Sequence, residues 1–208
     1  LATYRLLVVG DSALELKKKK GWSDNQADLR WKTGNGQTTV VCKPGACGND
    51  LVAEIAKFDL SNFEAVHVFW TLNDLHHKGT WREDIPSLPT IVQNFQIVTN
   101  NAMNRHFTIG GEAFRWNAPP SYDVAREKVR DMFQDYGIST DDGSRFFRHL
   151  VVGETDKWHA VSNEANRQSM SKFMAAVGEY MMFSTIPFAK KDEIRKYFAT
   201  EPDWGKGK

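Results

Sequence analysis

The chain has 208 residues, of which 41% are hydrophobic and 12% aromatic, and its formal net charge is +1. That length and composition suit one sizeable core, so a single domain is expected, with at most a small appendage. The near-cancelled charge gives no general case for a nucleic-acid or membrane surface, and no apolar run approaches the roughly 20 residues that cross a bilayer.

Taken in order, apolar runs alternate with segments of helical period. Tyr4 to Val9 reads as a strand ended by Gly10, and Gly10-Asp11-Ser12 turns out of it. Lys17 to Lys20 is the only low-complexity tract, and its four lysines fill a helical turn rather than one phosphate track. Gly21 to Gln37 is a polar insertion carrying Trp22 and Trp31.

A β-branched strand runs from Thr38 to Cys42 and stops at Lys43-Pro44-Gly45, and Asn49 is placed to cap a helix carrying Leu51, Val52 and Ile55. Ala65 to Trp70 is the third strand run. Ile91, Phe95 and Ile97 mark the next helix, Arg105 to Gly110 a fourth strand, and Val124, Val129, Met132 and Phe133 another helix. Arg145 to Val152 is the fifth strand candidate. Ser162, with Glu164 nearby, opens a last long helix with a stripe of Met170, Phe173, Met174, Val177 and Met181. Residues 1–185 form the expected domain, and 186–208 a charged tail with a short amphipathic stretch from Asp192 to Phe198.

Strand–helix repetition of this kind argues for a mostly parallel, five-stranded sheet with helices on both faces, a three-layer α/β/α sandwich of flavodoxin-like type. Ligands of such sheets sit at the carboxyl ends of the strands. Ser12, the Gly45–Gly48 loop, the Thr71–Asp74 loop and His159 all follow strand runs, and so share that edge.

The chemistry-bearing residues fall on these loops. Ser12 supplies a hydroxyl, which is inert at neutral pH unless a base takes its proton. Asp156-Lys157-Trp158-His159 supplies an imidazole with an acid close by. Gly48 lets backbone approach a substrate oxygen, and Asn73 donates from an uncharged amide. Each residue has a plainer role as well. Ser12 could cap the segment after it, His159 could start a helix, and Asp156 could be a loop acid, with Glu154 a weaker rival. Gly48 could only admit a helix, Asn73 and Asp74 could only form a turn, and Trp158 could pack under its loop. Arg115 and Trp116 follow the fourth strand and are candidates for substrate contact.

His76 and His77 are adjacent, with no acid spaced to complete a metal site, and read as surface loop; His67 reads as a core residue of its strand. Cys42 and Cys47, five apart, read as a strand residue and a loop residue rather than a disulfide scaffold. The chain opens on Leu1 and enters a strand almost at once. It reads as a domain cut from a longer protein, without a signal peptide, and cytoplasmic or otherwise intracellular.

In their order along the chain, four short blocks resemble those of the SGNH (GDSL-type) hydrolase family. They are Gly10-Asp11-Ser12, Cys47-Gly48-Asn49, Thr71-Leu72-Asn73-Asp74 and Asp156-Lys157-Trp158-His159. Thr71 stands where that family usually has glycine, and Ala160 where proline is common. The resemblance implies a three-layer fold and ester hydrolysis, with Ser12 as nucleophile, His159 as base and Asp156 orienting it. Ser12 N–H, Gly48 N–H and the Asn73 amide would form the oxyanion hole. No cofactor or metal is expected, and the implied partner is a small ester such as an acetylated sugar or a lipid.

Two other functions suit the same architecture. A binding module for RNA or a protein partner would draw on the lysine cluster and the Trp22/Trp31 insertion. A flavodoxin-like nucleotide or flavin binder lacks support, because no Gly-x-Gly-x-x-Gly or Walker-type loop follows the first strand.

Overall fold

The computed structural model describes residues 5–14, 16, 37–100, 106–110, 118–136, 139–140, 161 and 163–171. Within these, strands β1 (Arg5–Gly10), β2 (Gln37–Cys42), β3 (Ala65–Phe69), β6 (His106–Gly110) and β7 (Ser139–Thr140) lie in one sheet in the order β2-β1-β3-β6-β7. Every neighbouring pair is parallel. Helices α1 (Gly48–Ala56), α2 (Leu88–Asn100) and α3 (Pro120–Asp135) connect successive strands, and a small antiparallel hairpin, β4 (His76–His77) and β5 (Thr80–Trp81), stands apart from the sheet. The protein is therefore α/β with a parallel sheet and covering helices.

This strand order matters for function because the chain goes to one side of β1 for β2 and to the other side for β3. The crevice between the β1 and β3 exits is the topological switch point, where open parallel sheets bind ligands. The registry aligns the two exits, with Gly10 beside Phe69.

Strand alternation sorts the core. Leu7, Val9, Val66 and Val68 point to one face and bury themselves with Leu51 and Ile55 of α1, Ile91, Val92 and Phe95 of α2, and Val129 and Phe133 of α3. Leu6, Val8, His67 and Phe69 alternate to the other face and are buried too. Both faces being covered explains why these strands read as continuous apolar runs.

Several sequence expectations need correction. Asn49 does not cap α1: Cys47 does, Asn49 lies within the first turn, and the Asp50 carboxylate accepts the Cys47 backbone N–H at 2.9 Å. Acidic residues suit this end of a helix, so the acid took the place expected of the amide. Ile97 and Val124 are not core stripe residues but stand 64% and 57% exposed. Tyr122 and Ala125, which the sequence did not single out, fill α3's buried face. His76 and His77 are not loop but the first strand of the hairpin. Lys78 (φ 48) and Gly79 (φ 80) form its two-residue turn, with the positive φ at both positions that such turns demand. The candidate strand 145–152, Ser162, Phe173, Met174, Val177, Met181 and the tail lie outside the described residues. A helix spans 164–171, with Met170 buried and Asn163 Oδ1 accepting Asn166 N–H at 2.7 Å.

Candidate active site

β1 delivers the chain into the crevice and must turn at once, because β3 lies alongside. Gly10 permits it: a Cβ there would sit 2.8 Å from Phe69 Cβ and 2.7 Å from Leu14 Cδ1. A short 3-10 turn, Ser12–Leu14, follows, and Ser12 is left 6% exposed at its start. Asp11 shapes this turn. Its Oδ1 accepts Ala13 N–H at 3.1 Å, and its backbone N–H donates to Phe69 O at 3.3 Å.

The other oxygen of Asp11 faces across the switch point. Oδ2 accepts the Thr71 backbone N–H and the Thr71 hydroxyl, each at 2.7 Å. Asp11 is fully buried, and a buried carboxylate survives only with donors of this kind. The departure from glycine at position 71 thus has a structural use, since the threonine hydroxyl adds a donor that glycine lacks. Nor does the turn require glycine at 71, because the left-handed residue is the next one, Leu72 (φ 59, ψ 45). A non-glycine residue there costs roughly 1–2 kcal/mol. The fully buried Leu72 side chain holds it in place, as does Tyr122 OH, donating to Thr71 O at 3.0 Å.

The turn beyond Leu72 carries Asn73 and Asp74, and each reaches back to the β2–α1 loop. Asn73 Nδ2 donates to Ala46 O at 3.0 Å, which uses one of the amide's two N–H groups. Asp74 accepts Gly48 N–H at 3.0 Å on Oδ2 and 3.3 Å on Oδ1, and Trp70 Nε1–H at 2.8 Å on Oδ2. Gly48 is also a packing glycine, since a Cβ would lie 2.7 Å from Ile91 Cγ2 and 2.8 Å from Trp70 Cζ2. Trp70 is fixed between Phe95 and Phe133, with centroids 5.8 and 6.2 Å away. Burial raises the pKa of Asp74, Asp50 adds to the rise, and the hydrogen bonds from Trp70 and Gly48 oppose it.

Among the sequence candidates, Ser12, Gly48 and Asn73 therefore lie on loops bonded pairwise at one sheet edge. Asp11 and Thr71 join the first loop to the third, and Asn73 and Asp74 join the third to the second. Cys42 Sγ–H donates to Asp11 O at 3.2 Å and Lys43 N–H to Gly10 O at 2.8 Å, which closes the second against the first. Asp156, His159, Trp158, Arg115, Trp116 and the Lys17–Lys20 cluster lie outside the described residues.

Cys42 and Cys47 form no disulfide and are half-buried. Burial, then Asp74, Asp50 and Asp11, push the Cys47 thiol up to about 11, which favours its protonated form. His67 is buried in β3 with its ring edge-on to Phe69 at 4.6 Å, as its strand position suggested. His76 stacks on Trp81 at 4.7 Å, and Trp81 meets Tyr122 at 5.9 Å, which ties the hairpin to α3 beside the site. Among the described residues no cluster could hold a metal ion, and no helix is long and apolar enough to cross a membrane.

The residues that sequence reasoning missed are the ones that brace the loops: Asp11, Trp70, Asp74 and Tyr122. Asp74 stood in view only as a turn-former, since its partner Gly48 lies 26 residues away in the chain.

No protein-family model and no curated protein matches the chain. Solved structures do, at low identity. The chain is similar to a Desulfitobacterium hafniense DCB-2 protein assigned to the lipolytic G-D-S-L family, with TM-score 0.57, 12% identity, and 84% of this chain and 99% of that one covered. It is similar to phospholipase A1 from Streptomyces albidoflavus NA297, with TM-score 0.59, 14% identity, and 85% and 99% covered. It is also similar to a family two carbohydrate esterase from Cellvibrio japonicus, with TM-score 0.61, 13% identity, and 88% and 63% covered. The likeness extends over most of the chain. The chain has the fold of the SGNH, or GDSL-type, hydrolases.

Proposed function

We propose that the protein is a serine esterase or acyl hydrolase that works through an acyl-enzyme on a small ester. Ser12 Oγ attacks the ester carbonyl as His159 takes its proton, and Asp156 orients the imidazole and offsets its charge. The oxyanion draws on Ser12 N–H and Asn73 Nδ2–H, the loss of either donor costing about 10²–10³ in turnover, and on Gly48 N–H, which Asp74 holds in the free protein. His159 then protonates the departing alcohol, and water repeats the steps to free the acid. Trp158, Arg115 and Trp116 belong to the substrate side of this site. The same reading carries a five-stranded, three-layer α/β/α domain over residues 1–185.

The observation that carries it is the pairwise bonding of the Ser12, Gly48 and Asn73 loops at the switch point. That similar folds include a phospholipase and a carbohydrate esterase supports the choice of an ester. The test is hydrolysis of p-nitrophenyl acetate by wild type and Ser12→Ala. Turnover should fall by at least about 10³-fold in the variant, and a fluorophosphonate should label Ser12 in the wild type only. Equal rates in the two proteins would refute the assignment.

A further inference from the structure

Asp74 touches the proposed oxyanion hole in a way that constrains how the hole can work. Its carboxylate takes the Gly48 N–H, and that peptide has no second proton to give. The same carboxylate takes the Trp70 indole N–H, and no cation pairs with it among the described residues. Asp74 cannot drift, because Trp70 is fully enclosed and Gly48 is packed against the indole ring. A hydrogen bond to a carboxylate is roughly twice as strong as one to a neutral oxygen. A neutral ester carbonyl is therefore a poor competitor for the Gly48 N–H, whereas a full oxyanion is its equal.

We propose that Asp74 is a positioning residue that keeps the Gly48 N–H away from the bound ester and yields it only to the charged tetrahedral intermediate. The proposal rests on the serine-hydrolase reading. Its consequence is that the Gly48 donor contributes less to the reaction than its position suggests, because one charge-assisted bond is exchanged for another. The cost falls on the transition state and not on ester binding. The titratable and charged groups around Asp74 and the neighbouring Cys47 thiol are Asp50 on α1, Asp11 on the nucleophile turn and Arg82 beyond the hairpin.

Asp74→Asn keeps the shape and removes the charge. With p-nitrophenyl acetate, kcat should rise about tenfold while KM stays within about twofold, the split expected when only the charged state gains a donor. A variant that melts like wild type but has an unchanged or lower kcat overturns the proposal, since a merely structural acid gives that result. Both proteins are also assayed with Ser12→Ala added. Turnover that survives there is a failure of the hydrolase reading, not of the Asp74 assignment.

A measurement on the wild-type protein needs neither turnover nor a variant that folds. The Gly48 amide proton, followed by NMR, should move as Asp74 titrates and should stop following Asp74 once a fluorophosphonate has placed a tetrahedral oxygen on Ser12. An amide that ignores Asp74 in the free protein, or still follows it after labelling, overturns the proposal.

Discussion

Asp11 and Thr71 are 60 residues apart in the chain, yet one oxygen of the Asp11 carboxylate accepts both the backbone N–H and the hydroxyl of Thr71 at 2.7 Å. This pair of hydrogen bonds across the crevice fixes the Ser12 turn against the Asn73 turn. Thr71→Val keeps the volume and removes the hydroxyl. Leaving a buried carboxylate one donor short costs about 1–3 kcal/mol, and Thr71→Ser should recover most of it. Urea unfolding of the three proteins is the check; a valine variant as stable as wild type would mean the hydroxyl carries no weight.

Gly48→Ala tests whether position 48 is glycine for close packing. The new Cβ meets Ile91 and Trp70 at 2.7 and 2.8 Å, and Trp70 is held by its indole bond to Asp74, so it yields poorly. An overpacked site of this kind loses about 1–3 kcal/mol. Thermal unfolding should show the drop, and Gly45→Ala is no substitute control, because Gly45 has open space but a positive φ of 72°.

His67 should make the protein acid-sensitive. Burial lowers its pKa to about 3, while in the unfolded chain it sits near its usual 6.5. Between those values the unfolded chain binds a proton that the folded one refuses, so stability falls as pH drops through that window. The loss amounts to a few kcal/mol at most. His67→Leu should flatten the stability profile between pH 6.5 and 4, measured by urea unfolding at each pH; an unaltered slope would assign the acid sensitivity to other groups.

Ile97 and Phe95 are two apart on α2 but belong to different environments, one 64% exposed and the other fully buried. Ile97→Lys should change stability by no more than about 0.5 kcal/mol. Phe95→Ala, which empties the space beside Trp70 and Phe133, should cost about 3–5 kcal/mol. Comparable losses from both would contradict the described packing.

β1 and β3 were legible because strands buried on both faces write themselves as apolar runs, and β2 because of its β-branched residues; β1, β2, β3 and β6 fall within a residue or so of their expected places. Helix faces were less legible. Ile97 and Val124 sit at helical spacing from core residues, but spacing does not say where the apolar arc ends, and the aromatic Tyr122 took the buried place instead. The hairpin was missed because its strands are only two residues long and carry His76, His77, Thr80 and Trp81, with no alternation to read. Within the site, the chemical types at Ser12, Gly48 and Asn73 could be picked out residue by residue. The supports Asp11, Trp70 and Asp74 could not, because a side chain's hydrogen-bond partner across 26 or 60 residues leaves no trace in local composition.

The proposed carbonyl donors Ser12, Gly48 and Asn73 all come from the exits of β1, β2 and β3 and the start of α1. The ribosome thus releases the acceptor half of the proposed machinery as one continuous stretch, long before the imidazole at 159 is made. A nascent or truncated chain of that length would carry those donors without Phe95, Phe133 and Tyr122, which brace their loops, and without the proposed base.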